Sequence, residues 1–574
     1  MRNLLTLLSF LLLVFVACQT DPQINQKEVA DLILINGQVA TMDDKNPSAE
    51  AIAIKGDRLL KIGSNQAIQT FAGTDTKTID LNGNFVMPGI IEGHGHFSSI
   101  GNGLMNLNFL RSKNWDDIVA QVAERAKTAK PGEWIVGRGW HQEKWDTPLD
   151  RQVLGYPYHD ELSELTPNNP VLLGHASGHS VFANKKAMEI AGVSKETPNP
   201  TGGEIVRGTG GEAIGVFEET AMSTISKVYD EYLSTLTEEE KLDKWYKAIE
   251  LVEEECLKKG ITSFQDAGAT FKELARYKKL AEDGELDVRL WAMIGSKEEN
   301  LEENLPNFPI IDAGNSTFTC RSIKGYMDGA LGSFGAWLLA DYEEKPDFFG
   351  QNVTPIKDIQ RIAGLAAKHN LQYCVHAIGD RGNREVLDIY EDIFKEYPDQ
   401  SDFRWRIEHA QHIDVADIPR FAALDVIASM QAIHCTSDSP FVIKRLGEKR
   451  ARESAYPWRS LLDAKVVVTN GTDAPVEDVD PLESFYASVT RKRLDNPTPF
   501  FPEQSMTRME GLKAYTLSNA YAAFEETQKG SLEEGKLADI TILSNNLLTC
   551  KEEEIMSTKV IYTIVGGVIK YKSI

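Results

Sequence analysis

Short apolar runs broken by turn residues open and close this chain, and apolar runs alternating with amphipathic stretches fill its middle. Near the start, Leu32-Ile33-Leu34-Ile35 runs into Asn36-Gly37, and Ala51-Ile52-Ala53-Ile54 runs into Lys55-Gly56-Asp57-Arg58. Residues 59–62 and 78–81 repeat the pattern, the latter before Asn82-Gly83. Such runs with Asn-Gly turns predict antiparallel strands. At the far end, residues 538–543 and 560–565 read as strands, and Gly566-Gly567 turns the second into residues 568–571. The two ends are expected to build one composite β-sandwich domain from residues 31–87 and 530–574, with residues 88–529 inserted between them.

Inside that insertion the periodicity changes. Strands are predicted at residues 261–265, 288–294, 322–327, 372–375, 404–407, 426–430 and 466–469. Helical spacing of apolar residues appears between several of them, as at 356–369 and 383–396. With the strand ending at His94 there are eight, and each parallel pair needs a crossover. Eight βα units is the count of a closed barrel. An open doubly wound sheet is the alternative, but polar residues converging from at least five strand ends favour closure. The expected fold class is therefore α/β, a (β/α)8 TIM-like barrel with the terminal β-domain and a long insert after the first barrel strand. That insert, about residues 102–255, far exceeds an ordinary βα loop. It carries helical stretches at 115–129 and 236–259 and strand-like runs at 134–136 and 171–173. Loops after barrel strands surround the active site, so the insert is expected to act as a lid or substrate wall.

Composition narrows the partners. A net charge of −24 over 574 residues argues against a nucleic-acid surface, which needs clustered Lys and Arg. The oligomeric state stays open. Residues 1–17 begin with a weakly basic Met1-Arg2-Asn3 and continue as an apolar run too short for a membrane span, which reads as a signal peptide. Phe15-Val16-Ala17-Cys18 resembles a bacterial lipoprotein cleavage box, with Phe15 where Leu is usual. On that reading Cys18 is lipidated, residues 18–30 are a tether, and the chain is exported and meets a membrane only through its lipid, in the periplasm or at the cell surface. A plain secretory signal with an incidental Cys is the rival. The five remaining cysteines have irregular spacing and suggest no disulfide framework.

The candidate chemistry sits at strand ends. In Phe85-Val-Met-Pro-Gly-Ile-Ile-Glu-Gly-His-Gly-His96, residues i and i+2 project to one face, so His94 and His96 can grip one cation. Lys324, His376, His409 and Asp473 end four further apolar runs. Polar residues at strand C-termini are where barrel enzymes keep their catalysts. Four imidazoles and a carboxylate suit Zn²⁺ or a similar divalent ion with a position left for water. Any one member alone reads equally well as a core histidine or a capping aspartate.

Taken together, the stretches Met87-Pro-Gly-Ile-Ile-Glu-Gly-His-Gly-His96, Lys324-Gly-Tyr-Met-Asp-Gly-Ala-Leu-Gly-Ser333, Val375-His-Ala-Ile-Gly-Asp380, Arg406-Ile-Glu-His-Ala-Gln411, Ser429-Met-Gln-Ala-Ile-His434, Gly471-Thr-Asp-Ala-Pro-Val476 and Gly535-Lys-Leu-Ala-Asp539 carry a resemblance. So does Gly174-His-Ala-Ser-Gly-His179 in the insert. The chain resembles the amidohydrolase superfamily, in the family 3 branch that includes N-substituted formamide deformylase.

The resemblance implies a hydrolase that cleaves a C–N bond, amide or formamide-type, in a small molecule by a metal-activated hydroxide. It implies that His94, His96 and Asp473 bind a buried metal and that His376 and His409 bind a second. Lys324 would bridge both as a carbamate, and Asp473 would protonate the leaving nitrogen. If Lys324 is an ordinary lysine, the site holds one metal. His175, His179, Asp328, Gln431 and His434 are softer candidates for substrate binding. Ala432 stands where relatives often carry Pro, and His141 where they often carry an acid. Trp140 and Trp145 line the pocket or fill a core. Esters or cyclic imides are the alternative substrates, and a substrate-binding lipoprotein without turnover is the alternative class.

Overall fold

A computed structural model describes residues 28–573, apart from residues 110, 111, 141, 143, 144, 176–179, 202 and 333. Cys18, His141 and His179 lie outside the described residues, as does the whole predicted leader.

Eight parallel strands form the central sheet: β1 (Ile90–Gly95), β2 (Ile261–Ala269), β3 (Arg289–Gly295), β4 (Phe318–Tyr326), β5 (Gln372–Ala377), β6 (Arg406–His409), β7 (Ile427–Met430) and β8 (Val468–Asn470). Their order in space is their order in sequence, as right-handed crossovers dictate. Each expected strand is present. β8 and β1 do not share a ladder; instead the backbone just past β8 closes the ring. Asp473 N–H donates to the His94 carbonyl (2.7 Å), and His96 N–H donates to the Ala474 carbonyl (2.8 Å). The Asn519 side-chain amide donates to the carbonyls of Ile91 (2.7 Å) and Asn470 (2.9 Å), one on each side of the seam. Such close approach requires bare backbone. A Cβ on Gly93 would stand 2.5 Å from the Asn470 carbonyl, and one on Gly471 would stand 2.6 Å from the His94 nitrogen.

Both chain ends contribute to the sheets beneath the barrel. One six-stranded sheet joins Ser48–Ala49, Gln38–Ala40 and Phe85–Pro88 to Ile540–Leu543, Val560–Val565 and Val568–Lys572. A four-stranded sheet joins Arg58–Gly63, Ala51–Lys55, Leu32–Ile35 and Lys77–Asp80. Leu34, Val39, Ile52, Val86, Ile540 and Ile564 are buried in one core between the two sheets. The expected all-antiparallel pairing is corrected here. Leu32–Ile35 runs parallel to Lys77–Asp80, and Gln38–Ala40 runs parallel to Phe85–Pro88. Asn36-Gly37 does not close a hairpin; Asn36 turns the chain with φ 57°, and the strands on either side enter different sheets. The Gly56-Asp57 and Gly566-Gly567 turns do close hairpins.

Between β1 and β2 the insert folds around a sheet of its own, in the order Gly203–Arg207, Ala213–Glu219, Ser180–Ala183, Val171–His175, Ile135–Trp140, Leu107–Asn108. The helix read at 115–129 ends earlier, at Trp115–Ala126. The second long helix, Glu238–Lys258, starts with Thr237 and Glu240 bonded reciprocally across its first turn. It leads straight into β2. Arg138 on the insert donates to the Pro475 carbonyl (3.2 Å), two residues beyond Asp473, so the insert sheet abuts the loop that carries the carboxylate.

Candidate metal centre

The C-terminal ends of β1, β4, β5, β6 and β8 bring His94, His96, Lys324, His376, His409 and Asp473 to one mouth of the barrel. Most are nearly or fully buried, and His96 is the most open, with 30% of its side chain exposed. The His94 ring lies 4.8 Å from that of His409, which lies 4.3 Å from that of His376. Asp473 Oδ1 stands 3.2 Å from His96 Nε2 and 3.6 Å from His94 Nε2. Lys324 Nζ is 3.2 Å from the same His94 Nε2.

Hydrogen bonds set which ring nitrogen of two of the imidazoles is free. His94 Nδ1 donates to Glu408 Oε2 at 2.5 Å, and His409 Nδ1 donates to the Gln431 side-chain oxygen at 2.7 Å. Both rings therefore keep a lone pair on Nε2. Among the described residues, His376 Nε2 is buried with no hydrogen-bond partner, and Asp473 Oδ1 meets only the ring nitrogens of His96 and His94. Unpartnered buried polar atoms are costly, and several lone pairs facing one point fit a divalent cation. Ligand-type atoms of His94, His96 and Asp473 all lie within 4.8 Å of one another.

Burial dominates the electrostatics. It pushes the imidazole pKa values of His94 and His409 down and that of His376 to about 3, keeping them neutral and ligand-ready. Burial likewise lowers the Lys324 amine, which leaves it more nucleophilic. Asp473 resists: burial would raise its carboxyl, but hydrogen bonds from His434 and His96 hold it well below the usual range. Glu408 behaves the same way, held at about 2 against burial by the imidazole of His94 and by Arg406.

The softer candidates separate. His434 Nε2 lies 3.4 Å from Asp473 Oδ2 and its Nδ1 3.5 Å from Glu477 Oε1. Burial alone would lower it, yet the two carboxylates raise it to about 10, so it faces Asp473 as a charged donor. The His409–His434–Asp473 group is also compact enough for an ion, but a doubly protonated ring offers no lone pair. Gln431 holds His409. Asp328 accepts the backbone N–H groups of Trp337 (2.8 Å), Ile378 (2.9 Å) and Gly379 (2.8 Å), and its Oδ1 lies 3.7 Å from His376 Nε2. His175 lies in the insert, 4.5 Å edge-on to Trp140 and bonded to Gln142 (3.1 Å). Trp140 is fully buried in the insert core, its indole N–H on the Leu173 carbonyl. Sequence reasoning missed Glu408, whose only signal was its place beside His409.

This barrel and its imidazole-carboxylate mouth define a metal-dependent hydrolase. The amidohydrolase family profile matches residues 77–571. Protein LONG AFTER FAR-RED 3 of Arabidopsis thaliana is 32% identical over 94% of this chain and 91% of its own. N-substituted formamide deformylase of Arthrobacter pascens is 26% identical over 95% of this chain and 99% of its own. Among solved structures, an uncharacterized metal-dependent hydrolase from Pyrococcus horikoshii superposes with a TM-score of 0.70 at 25% identity, covering 91% of this chain and 99% of its own. The chain belongs to the amidohydrolase family.

Proposed function

We propose that this amidohydrolase cleaves a C–N bond, of amide or formamide type, in a small molecule. The observation that carries this reading is the pair of oriented imidazoles. His94 and His409 each spend Nδ1 on an acceptor and turn Nε2 inward, beside a carboxylate and a lysine. His94, His96 and Asp473 would hold one divalent ion, Zn²⁺ on the chemistry of the donors, His376 and His409 would hold a second, and Lys324 would join the donor set as a carbamate. A bound ion supplies an acidified water and polarises the substrate carbonyl.

The protein's own groups do the rest. Asp473 stands within hydrogen-bond reach of His434 and His96, positioned to take the proton of the attacking water and return it to the leaving nitrogen. His434, charged between Asp473 and Glu477, keeps that carboxylate ionised between turnovers. The insert walls the mouth through the Arg138–Pro475 contact. The likeness to N-substituted formamide deformylase supports the choice of bond. The leader reading makes the chain an exported lipoprotein anchored at Cys18, and Cys18→Ser should move it from the membrane to the soluble fraction. No helix among the described residues is long and apolar enough to cross a membrane.

The test is metal analysis of protein purified without chelator, followed by a screen of N-formyl and N-acyl amines beside matched esters and cyclic imides. Turnover of amides that chelation abolishes and Zn²⁺ restores is expected. Turnover of esters or imides alone would overturn the bond assignment, and absence of metal uptake would overturn the hydrolase mechanism.

A further inference from the structure

Glu408 and His409 are neighbours on β6, yet both side chains reach the barrel interior. Along a regular strand, consecutive residues point to opposite faces. His409 breaks the alternation: its φ is 74°, and Ala410 follows at 43°. Left-handed backbone is unfavourable for residues with a Cβ and persists where the surroundings enforce it. Its effect here is geometric. Glu408 reaches across to His94 on β1, while His409 turns to His376 and Gln431.

Glu408 has no exposed surface, and only Oε2 is bonded; Oε1 meets no hydrogen-bond partner among the described residues. A buried carboxylate so sparsely satisfied is expensive to keep. Its single strong contact is the 2.5 Å bond from His94 Nδ1. That bond places the ring hydrogen on Nδ1 and aims the Nε2 lone pair at the cluster, 3.2 Å from Lys324 Nζ and 3.6 Å from Asp473 Oδ1. A carboxylate behind a histidine ligand fixes its tautomer and ring orientation and increases its basicity.

We infer that Glu408 is a positioning residue for the metal centre, locking His94 in its ligating tautomer, and that the left-handed backbone at His409 is the device that lets one strand end serve two ligands. This rests on His94 being a metal ligand. It adds that the site's affinity is set from the opposite side of the barrel, by a residue that touches neither substrate nor ion.

Two substitutions of similar length separate orientation from packing. Glu408→Gln keeps an oxygen that accepts from Nδ1–H; Glu408→Met fills the space and accepts nothing. Zn²⁺ affinity of the metal-stripped full chain is measured by chelator competition, beside thermal melting without metal. Glu408→Met should bind Zn²⁺ about 10- to 100-fold more weakly than the parent, and Glu408→Gln should recover most of that loss. Melting of the metal-free variants should stay near the parent. Parent-like affinity in Glu408→Met, or equal losses in both variants, overturns the inference. Should Glu408→Met fail to fold, Glu408→Gln is set against Glu408→Leu under the same criteria. A parent that takes up no Zn²⁺ would instead overturn the metal reading beneath it.

Discussion

Lys324 Nζ stands 3.2 Å from His94 Nε2, a lysine amine facing the lone pair of an imidazole in a site where both are buried. Burial lowers the amine's pKa, and a neutral amine is the form that captures CO₂. Carbamylation there would replace a nitrogen donor by anionic oxygen donors, which suit a divalent cation. Intact mass measured under gentle conditions should therefore show an added CO₂ that acid removes and that Lys324→Ala lacks. Metal content of the variant should fall from two ions to one or none. A parent with a single ion and no added mass would make the site mononuclear.

On the proposed mechanism Asp473 carries the proton chemistry, and its neighbours define what each substitution removes. Asp473→Asn would remove both a proposed ligand and the proposed proton acceptor, so kcat should drop by about 10²- to 10⁴-fold. His434→Asn leaves the ligands but deletes one charged donor to Asp473, a bond whose loss corresponds to about 10- to 100-fold. The pair is separable by metal analysis. Asp473→Asn should lose metal, whereas His434→Asn should keep its full complement while turning over slowly. Equal metal loss in both would place His434 among the ligands.

How far the sequence announced this site depends on strand regularity. His94, His96, Lys324, His376 and Asp473 were legible because each ends an apolar run, and a polar residue there points into the mouth. Glu408 was not, because strict alternation sends it outward whenever His409 points in; the left-handed backbone that reverses this has no apolar signature. Asn519 was equally hidden. It lies on the short helix Leu517–Ala522, and its role in bridging β1 and β8 exists only once the ring is nearly closed. Asp328 is a polar residue near a strand end that accepts three backbone N–H groups while its Oδ1 lies 3.7 Å from His376 Nε2, and no strand pattern announces those backbone bonds. In the terminal sheets, Asn36-Gly37 marked a real turn but not the partner of the strand it ends, since pairing across sheets is a tertiary choice.

Arg289, the first residue of β3, makes a buried two-bond contact with Asp539 through Nε (2.8 Å) and Nη2 (3.1 Å), and its Nη1 donates to the Ser316 carbonyl (3.0 Å). Asp539 also accepts the Gly566 N–H (2.8 Å), so this pair fastens the C-terminal strands to the base of the barrel. Removing one member strands a buried charge. Arg289→Ala should lower the unfolding free energy by about 3–5 kcal/mol, read from the denaturant midpoint. The contact is at the end of the barrel opposite the metal centre, so kcat of the folded fraction should not change. A loss of kcat without a loss of stability would contradict the structural role.

Glu253, on the helix Glu238–Lys258, links stability to pH. Its Oε1 accepts the N–H groups of Asp287 (2.6 Å) and Val288 (3.0 Å) just before β3, and burial, opposed by those two bonds, raises its carboxyl to about 7. A carboxyl raised in the folded state binds its proton more tightly there than in the unfolded chain. Its contribution is thus fully present below the ordinary carboxyl pKa of 4.5 and is lost as pH rises through about 7. The loss amounts to about 3 kcal/mol at most, at roughly 1.4 kcal/mol per pKa unit. Glu253→Gln keeps an oxygen for both N–H groups and cannot ionise. The stability difference between variant and parent, followed by denaturant unfolding, should favour the variant increasingly from pH 5 to pH 8 and level off above. A difference that stays constant across that range would mean Glu253 is not protonated in the folded protein at low pH, and that its two backbone bonds hold it as a carboxylate throughout.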